Sequence, residues 1–364
     1  MRRTVLPFLA LAALAACTDP SALTQPRSGP SSPPARAASP LILTVTNADD
    51  AGSGSLRSAI AQALPGDEIR FDASLAGRTI TLTGGTLVLD KDLTLSGPVA
   101  GGINVARAAD APKFGVVFVP NGVTATLENL TIRNGDRVGL LENSGGGIRN
   151  EGTLTLRNGT LTGNTGNRGG AIANLRSSNE NQVPILTILN STVSGNTAAN
   201  GGGGIYNQGG TLTVRYSTVT GNSSPAAYGE GIYTFYFGSA TIESSIVAGN
   251  TADVAGLITS AGYNVIGFTD GNSEGSNWQD SDTRGTASAR LDVRLGTLAD
   301  NGGAVWTHAL LSRSPALDRI PAGTNGCGIT VVTDARGVSR PQSRACDVGA
   351  FELAKGKGGS GRKS

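Results

Sequence analysis

Histidine, cysteine and charge are all scarce in this 364-residue chain, which holds one histidine, three cysteines and only 15% Asp, Glu, Lys and Arg. With His308 the only imidazole and two of the cysteines, Cys327 and Cys346, too few to complete a zinc site, no metal centre and no cofactor is expected. His308 reads as a hydrogen-bonded residue of a C-terminal cap. Basic charge is missing where a nucleic-acid ligand would need it. The net +2 contains Arg2 and Arg3 (+2), the residues Asp19, Arg27 and Arg36 (+1), and Lys355, Lys357, Arg362 and Lys363 (+4), which leaves −5 over residues 41–353. The positive charge sits on the ends, so nucleic acid is excluded as a partner. Long apolar runs are missing too. Val5 to Ala16 is too short to cross a bilayer as a permanent helix.

What the chain has is a repeat, which is the first thing to settle in any sequence. Thr126-Leu127-Glu128-Asn129, Thr155-Leu156-Arg157-Asn158, Thr187-Ile188-Leu189-Asn190, Thr213-Val214-Arg215-Tyr216 and Thr241-Ile242-Glu243-Ser244 are copies of one unit. In the later copies a Gly-Asn pair follows, at Asn164, Asn196, Asn222 and Asn250, spaced by 32, 26 and 28 residues on subtraction. Glycine-rich runs then carry single isoleucines, Ile148, Ile172, Ile205 and Ile232. Alternation rich in Thr, Val and Ile is strand periodicity. Gly and Asn between the strands tolerate left-handed backbone and let the chain bend without a hairpin. Three short strands per period describe one coil of a parallel β-helix, in which equivalent residues stack about 4.8 Å apart.

Stacking turns sequence columns into ladders. Leu127, Leu156, Ile188, Val214 and Ile242 form one inward column, and Ile132, Leu161, Val193, Val219 and Val247 another. Asn129, Asn158 and Asn190 are expected to form an amide ladder at the strand end. Glu128, Arg157, Leu189, Arg215 and Glu243 form an outward column of mixed sign, in which Glu128 can face Arg157 and Arg215 can face Glu243.

These repeats resemble right-handed parallel β-helix proteins of the pectin-lyase-like superfamily, and Gly169-Gly170-Ala171-Ile172 is similar to the repeat of chlamydial polymorphic outer-membrane proteins. Gly296 to Gly303, Thr307-His308-Ala309-Leu310, Ser314 to Asp318, Asp334 to Gly337 and Cys346 to Glu352 look like the C-terminal module of choice-of-anchor bacterial surface proteins. The resemblance implies an all-β fold, a single-stranded right-handed parallel β-helix (solenoid), closed by an N-terminal amphipathic helix cap. That helix is expected around Ser55 to Leu64, with Leu56, Ile60, Ala63 and Leu64 on one face.

The start of the chain supplies an address. Leu14-Ala15-Ala16-Cys17 after the apolar run resembles a bacterial lipobox, which implies a lipoprotein signal peptide over 1–16 and a lipid on Cys17. Residues 17–40, rich in Pro, Ser and Ala, read as a tether. The folded domain is expected over 41–353: cap and first coils over 41–125, repeats over 126–250, last coils and C-terminal module over 251–353, with residues 98–115 as a longer loop. Residues 354–364 read as a flexible basic tail. In an oxidising compartment Cys327 and Cys346 then form an even pair, a disulfide. The expected location is the bacterial outer membrane, anchored by lipid and facing either the periplasm or the outside.

Function is read from the surface columns. Tyr206 and Tyr233 hold the same outward position on consecutive coils, with Tyr228 and Tyr236 nearby, and exposed rings on a flat sheet suit sugar faces. The expected role is therefore adhesion or glycan binding without catalysis, with a polysaccharide or cell-surface glycan as partner. The alternative is a carbohydrate-active lyase or hydrolase. Loop carboxylates Asp136, Glu142, Glu180 and Asp253 would have to converge for that, since the columns themselves set no acidic cluster. A more remote alternative is ice binding through the outward threonines Thr126, Thr155, Thr187, Thr213 and Thr241, although β-propensity accounts for that column.

Overall fold

In the computed structural model each copy of the repeat pairs only with the copy before it and the copy after it. The structure describes residues 40–140, 145–177, 182–225, 229–269 and 276–354. Residues 1–39 with Cys17, the tail 355–364, Tyr228, Glu142 and Glu180 lie outside the described residues. Three sheets run the length of the domain. Among the described residues sheet A has nine strands, from Ile42–Val45 to Ile258–Ser260; sheet B has nine, from Thr79–Leu82 to Thr283–Thr286; sheet C has seven, from Leu87–Val88 to Val254–Ala255. Neighbouring strands in all three sheets are parallel, and the chain visits A, B and C in turn, so each circuit is one coil of a parallel β-helix.

The inward columns hold. Leu127, Leu156, Ile188, Val214 and Ile242 are register partners along sheet A, and Ile132, Leu161, Val193, Val219 and Val247 along sheet B. Ile148, Ile172, Ile205 and Ile232 supply the third wall from sheet C. All are buried in one continuous core. Coil lengths vary without disturbing this register, because the insertions fall in the connections between sheets.

Polar ladders seal the corners, at a different column from the expected one. Asn164, Asn196, Asn222 and Asn250 are fully buried or nearly so, and each Nδ2 donates to the next Oδ1 at 2.9–3.0 Å. Asp253 ends the chain by accepting from both Asn250 Nδ2 (2.9 Å) and Asn250 N (3.0 Å). A second run joins Asn150, Asn174 and Asn207 at 2.7 and 2.8 Å. Asn129, Asn158 and Asn190 instead take left-handed backbone (φ 57°, 47° and 48°) at a sharp corner, and their amides turn to Gly97 O, Glu128 Oε1 and Thr333 O. At that column Asn supplies the turn conformation rather than the ladder.

The N-terminal end is closed by a helix, Leu56–Gln62, whose N-cap Ser55 accepts from Ser58 N. Leu56, Ala59, Ile60 and Ala63 face the core, whereas the helix stops at Gln62 and Leu64 projects outward. Residues 98–115 are not simply a loop, since Ile103–Arg107 is a strand of sheet B.

The C-terminal module departs furthest from expectation. It does not cap the end; it runs back along the outer face of sheet B as a strap. Thr160 Oγ1 donates to Trp306 O (2.6 Å), Ala350 N to Thr218 Oγ1 (3.1 Å) and Gly349 N to Ser244 O (3.0 Å), while Gly101 N, near the other end, donates to Gly303 O (2.9 Å). A second core fills the interface, in which Ile246, Ala248, Val265 and Tyr216 of the coils meet Val293, Leu310, Ala316, Ile320, Val348 and Phe351 of the strap. Cys327 and Cys346 form a disulfide within it, their Cα atoms 6.0 Å apart.

Candidate functional site

The strap buries charge as well as apolar surface. Arg340 lies beneath it with Nη1 on Asp347 O (2.7 Å) and Glu352 Oε2 (3.2 Å), Nη2 on Gly349 O (2.6 Å), and its guanidinium 4.9 Å from the Tyr216 ring. Burial pushes the Arg340 pKa down, opposed by Glu352 and Asp334, and pushes the Asp347 and Glu352 carboxyls up. Asp334 takes Arg336 Nη2 at 2.7 Å and the amides of Arg336, Val338 and Glu352. Apart from Arg340 Nε, which has no hydrogen-bond partner, these groups are directed at another part of the strap or at the coil beneath. With Asp334, Arg340, Asp347 and Glu352 all buried, the set fastens the strap to the coils.

His308 belongs to the same fastening. Its Nδ1 lies 2.7 Å from Gly296 O, which can only accept, so Nδ1 carries the proton. Burial lowers its pKa, the ring is neutral, and Ser194 Oγ donates to Nε2 at 2.8 Å. The histidine therefore pins the strap to sheet B along its side, not at an end.

Of the four loop carboxylates on which catalysis would depend, Asp136 and Asp253 are among the described residues, and each is engaged elsewhere. Asp136 pairs with Lys113 (3.5 Å), and Asp253 is consumed by the asparagine ladder and by Phe268 N (2.8 Å). In the charged column of sheet A, Arg215 reaches Glu243 at 2.7 Å, while Glu128, in register with Arg157, has the Asn158 amide at 3.5 Å.

The aromatic residues do converge, though not as the flat pair expected. Tyr206 and Tyr233 are register partners on sheet C with ring centroids 5.5 Å apart. Tyr206, however, is only 1% exposed. The Arg168 guanidinium lies 5.5 Å from its ring, Phe235 stacks at 6.4 Å, its hydroxyl donates to Gln208 Oε1 (3.2 Å), and burial raises its pKa. It is a support for the surface rather than the surface itself.

The exposed rings belong to the next corner. One coil earlier, Gln208 and Thr211 are joined by Gly209 and Gly210, with Gly209 at φ 65°. Their register partners Phe235 and Ser239 are joined by three residues, Tyr236, Phe237 and Gly238. Tyr236 (φ 48°) and Phe237 (φ 58°) both hold left-handed backbone, which disfavours any side chain with a Cβ. Yet they are 64% and 89% exposed, so no burial explains the choice of residue. Their rings lie 5.0 Å apart and Phe235 is 6.3 Å from Tyr236. Together with Tyr233, Ala255, Gly256 and Leu257 they line an open cleft of ≈ 440 Å³. Sequence reasoning named Tyr233 and Tyr236 but missed Phe235, Phe237 and Leu257. The legible signal was Tyr236-Phe237-Gly238, next to Phe235, standing where the previous coil has Gly209-Gly210.

Searches against protein-family models, curated proteins and solved structures gave no match for this chain.

Proposed function

We propose that the domain is a binding module displayed on a lipid anchor at the bacterial outer membrane, and that it takes glycan faces at the Phe235-Tyr236-Phe237 turn. The observation that carries this is the strained, exposed turn. Left-handed backbone at an ordinary residue costs on the order of 1–3 kcal/mol, and such strain clusters at active sites and ligand clamps. Here two consecutive aromatic residues accept that strain while exposing their rings beside a cleft. Aromatic faces with a polar tip suit the alternating apolar and hydroxylated faces of sugars. The anchor rests on the lipobox-like Leu14-Ala15-Ala16-Cys17, and the similarity to choice-of-anchor surface proteins supports the same location. Similarity to the pectin-lyase-like superfamily is compatible with a polysaccharide ligand.

The test is a panel of bacterial and host polysaccharides, read by calorimetry, with wild type and a Tyr236→Gly/Phe237→Gly variant. Wild type binds at least one glycan without producing unsaturated or reducing ends. The variant loses at least tenfold in affinity and unfolds at the same or a higher temperature, because glycine relieves the turn. Retained affinity in the variant would sink the site. New chain ends during incubation would move the reading to a lyase or hydrolase.

A further inference from the structure

We infer that the N-terminal end of the solenoid seats directly on the bilayer that holds the anchor, through an apolar tip formed by Leu41, Ile42, Leu64 and Val88; this rests on the lipid-anchor reading above. One carboxylate assembles the centre of the tip. Asp67 accepts from Leu41 N through Oδ1 and from Leu64 N through Oδ2, both at 2.8 Å, so the two leucines stand side by side. These two amides hold the Asp67 carboxyl below the usual carboxylate range, and the clamp stays charged at neutral pH. Leu41 and Leu64 are 63% and 65% exposed. Ile42 begins the first strand of sheet A beside them, and Ala61 and Val88 border one shallow pocket on the same end.

Closing a β-helix does not call for these residues. The core is already sealed by Leu56, Ala59, Ile60 and Ala63 on the inner side of the helix, and the outer side would ordinarily be polar. Two charge pairs lie next to the tip, Glu68 with Arg70 (2.8 Å) and Asp90 with Lys91 (3.1 Å), and pairing lessens the penalty of bringing those four charges to an interface.

The occupant follows from where the chain enters. The chain enters the fold at this end, since Pro40, the first described residue, adjoins Leu41, and an acyl group on Cys17 would tether the domain from here. Tethering makes contact between tip and lipid effectively intramolecular, and weak insertion then suffices. Seated this way, the coils stack outward. The strand Ser239–Glu243, which follows the aromatic turn, is the eighth of sheet A, seven strand spacings or ~34 Å from Ile42–Val45. The glycan site is thereby held clear of the headgroups.

The experiment uses the full acylated chain in phosphatidylethanolamine/phosphatidylglycerol vesicles, labelled with an environment-sensitive fluorophore at Gln62→Cys or, on separate protein, at Phe237→Cys. Headgroup-attached quenchers should quench the label at 62 several-fold more than the label at 237. A Leu41→Glu/Leu64→Glu background should reduce quenching at 62 to the level at 237 while the protein stays on the vesicles. Equal, weak quenching at both positions with acylated Cys17 confirmed by mass overturns the seating and leaves the anchor intact. Absence of the acyl group from Cys17 overturns anchor and seating together.

Discussion

Sheets A and B are made from the same coils, and their outer faces have opposite fates. The sheet A strand Thr211–Arg215 alternates half-exposed and buried, as a strand with one face in water should. The sheet B strand Thr218–Thr220 on the same coil is buried at all three positions. Composition follows this difference only in part. Sheet A's outward column is threonine at seven consecutive rungs, Thr94, Thr126, Thr155, Thr187, Thr213, Thr241 and Thr259. Sheet B's outward column starts with Thr79 and Asn104, runs alike through Thr131, Thr160, Thr192 and Thr218, and then changes to Ile246 and Val265. Those apolar residues are where the second core forms. A β-branched residue on an outer face can thus mean bare strand or covered strand, and only what lies above it decides.

The largest test of that difference is Arg340→Met. It leaves Glu352 and the carbonyls of Asp347 and Gly349 buried without their cation, which should cost about 3–5 kcal/mol. Amide exchange should accelerate across the strap and the outward side of sheet B while the strands of sheet A keep their protection. Uniform loss of protection in both sheets would show that the strap is not a separable layer.

A smaller and closer comparison substitutes two outward residues of one coil. Ile246→Ala opens the interface between coil and strap and should lower stability by about 2–4 kcal/mol. Thr241→Ala, five residues earlier on the bare face, should change it by about 0.5 kcal/mol or less. Equal losses in denaturant titrations would mean that the strap contributes no packing.

The same contrast explains what could be read from the sequence. The inward columns of sheets A and B were legible because a buried residue recurs at fixed offset from the outward threonine of each copy, and misplacing it by one residue would turn the whole strand inside out. The amide ladder was misplaced because both Asn columns sit beside strand ends, and sequence does not reveal which Asn spends its side chain on a ladder and which spends its backbone on a left-handed turn. The strap was illegible because its contacts join residues far apart, 146 positions for Thr160 with Trp306 and 114 for Ser194 with His308. Its one trace was the switch from threonine to Ile246 and Val265. Tyr206 was misjudged for a related reason: alternation places its side chain outward, while Arg168 and Phe235 cover it.

The finest probe concerns how the ladder ends. Successive amides donate toward Asp253, so the positive ends of their dipoles face its carboxylate, and the bonds reinforce one another. Burial nevertheless pushes the Asp253 pKa up from 3.8 to about 6, against the pull of Asn250 and Phe268. A folded pKa above the unfolded one means that the native state holds the proton more tightly. The contribution of this group is therefore fully present below pH 3.8 and is lost as pH rises through about 6. Asp347 and Glu352 act in the same direction, while Asp50 and Glu68, held down by arginine and by other hydrogen-bond donors, act in the opposite one, so the wild-type profile alone is a mixture. Asp253→Asn isolates the term. It keeps an acceptor for Asn250 but sets an amide nitrogen against Phe268 N, lowering stability by about 1–2 kcal/mol at neutral pH. The difference between wild type and variant should then widen by on the order of 2 kcal/mol as pH falls from 7 to 4. A difference that stays constant across that range in urea titrations would show that Asp253 keeps an ordinary carboxylate pKa, and that the dipoles of the ladder offset its burial in full.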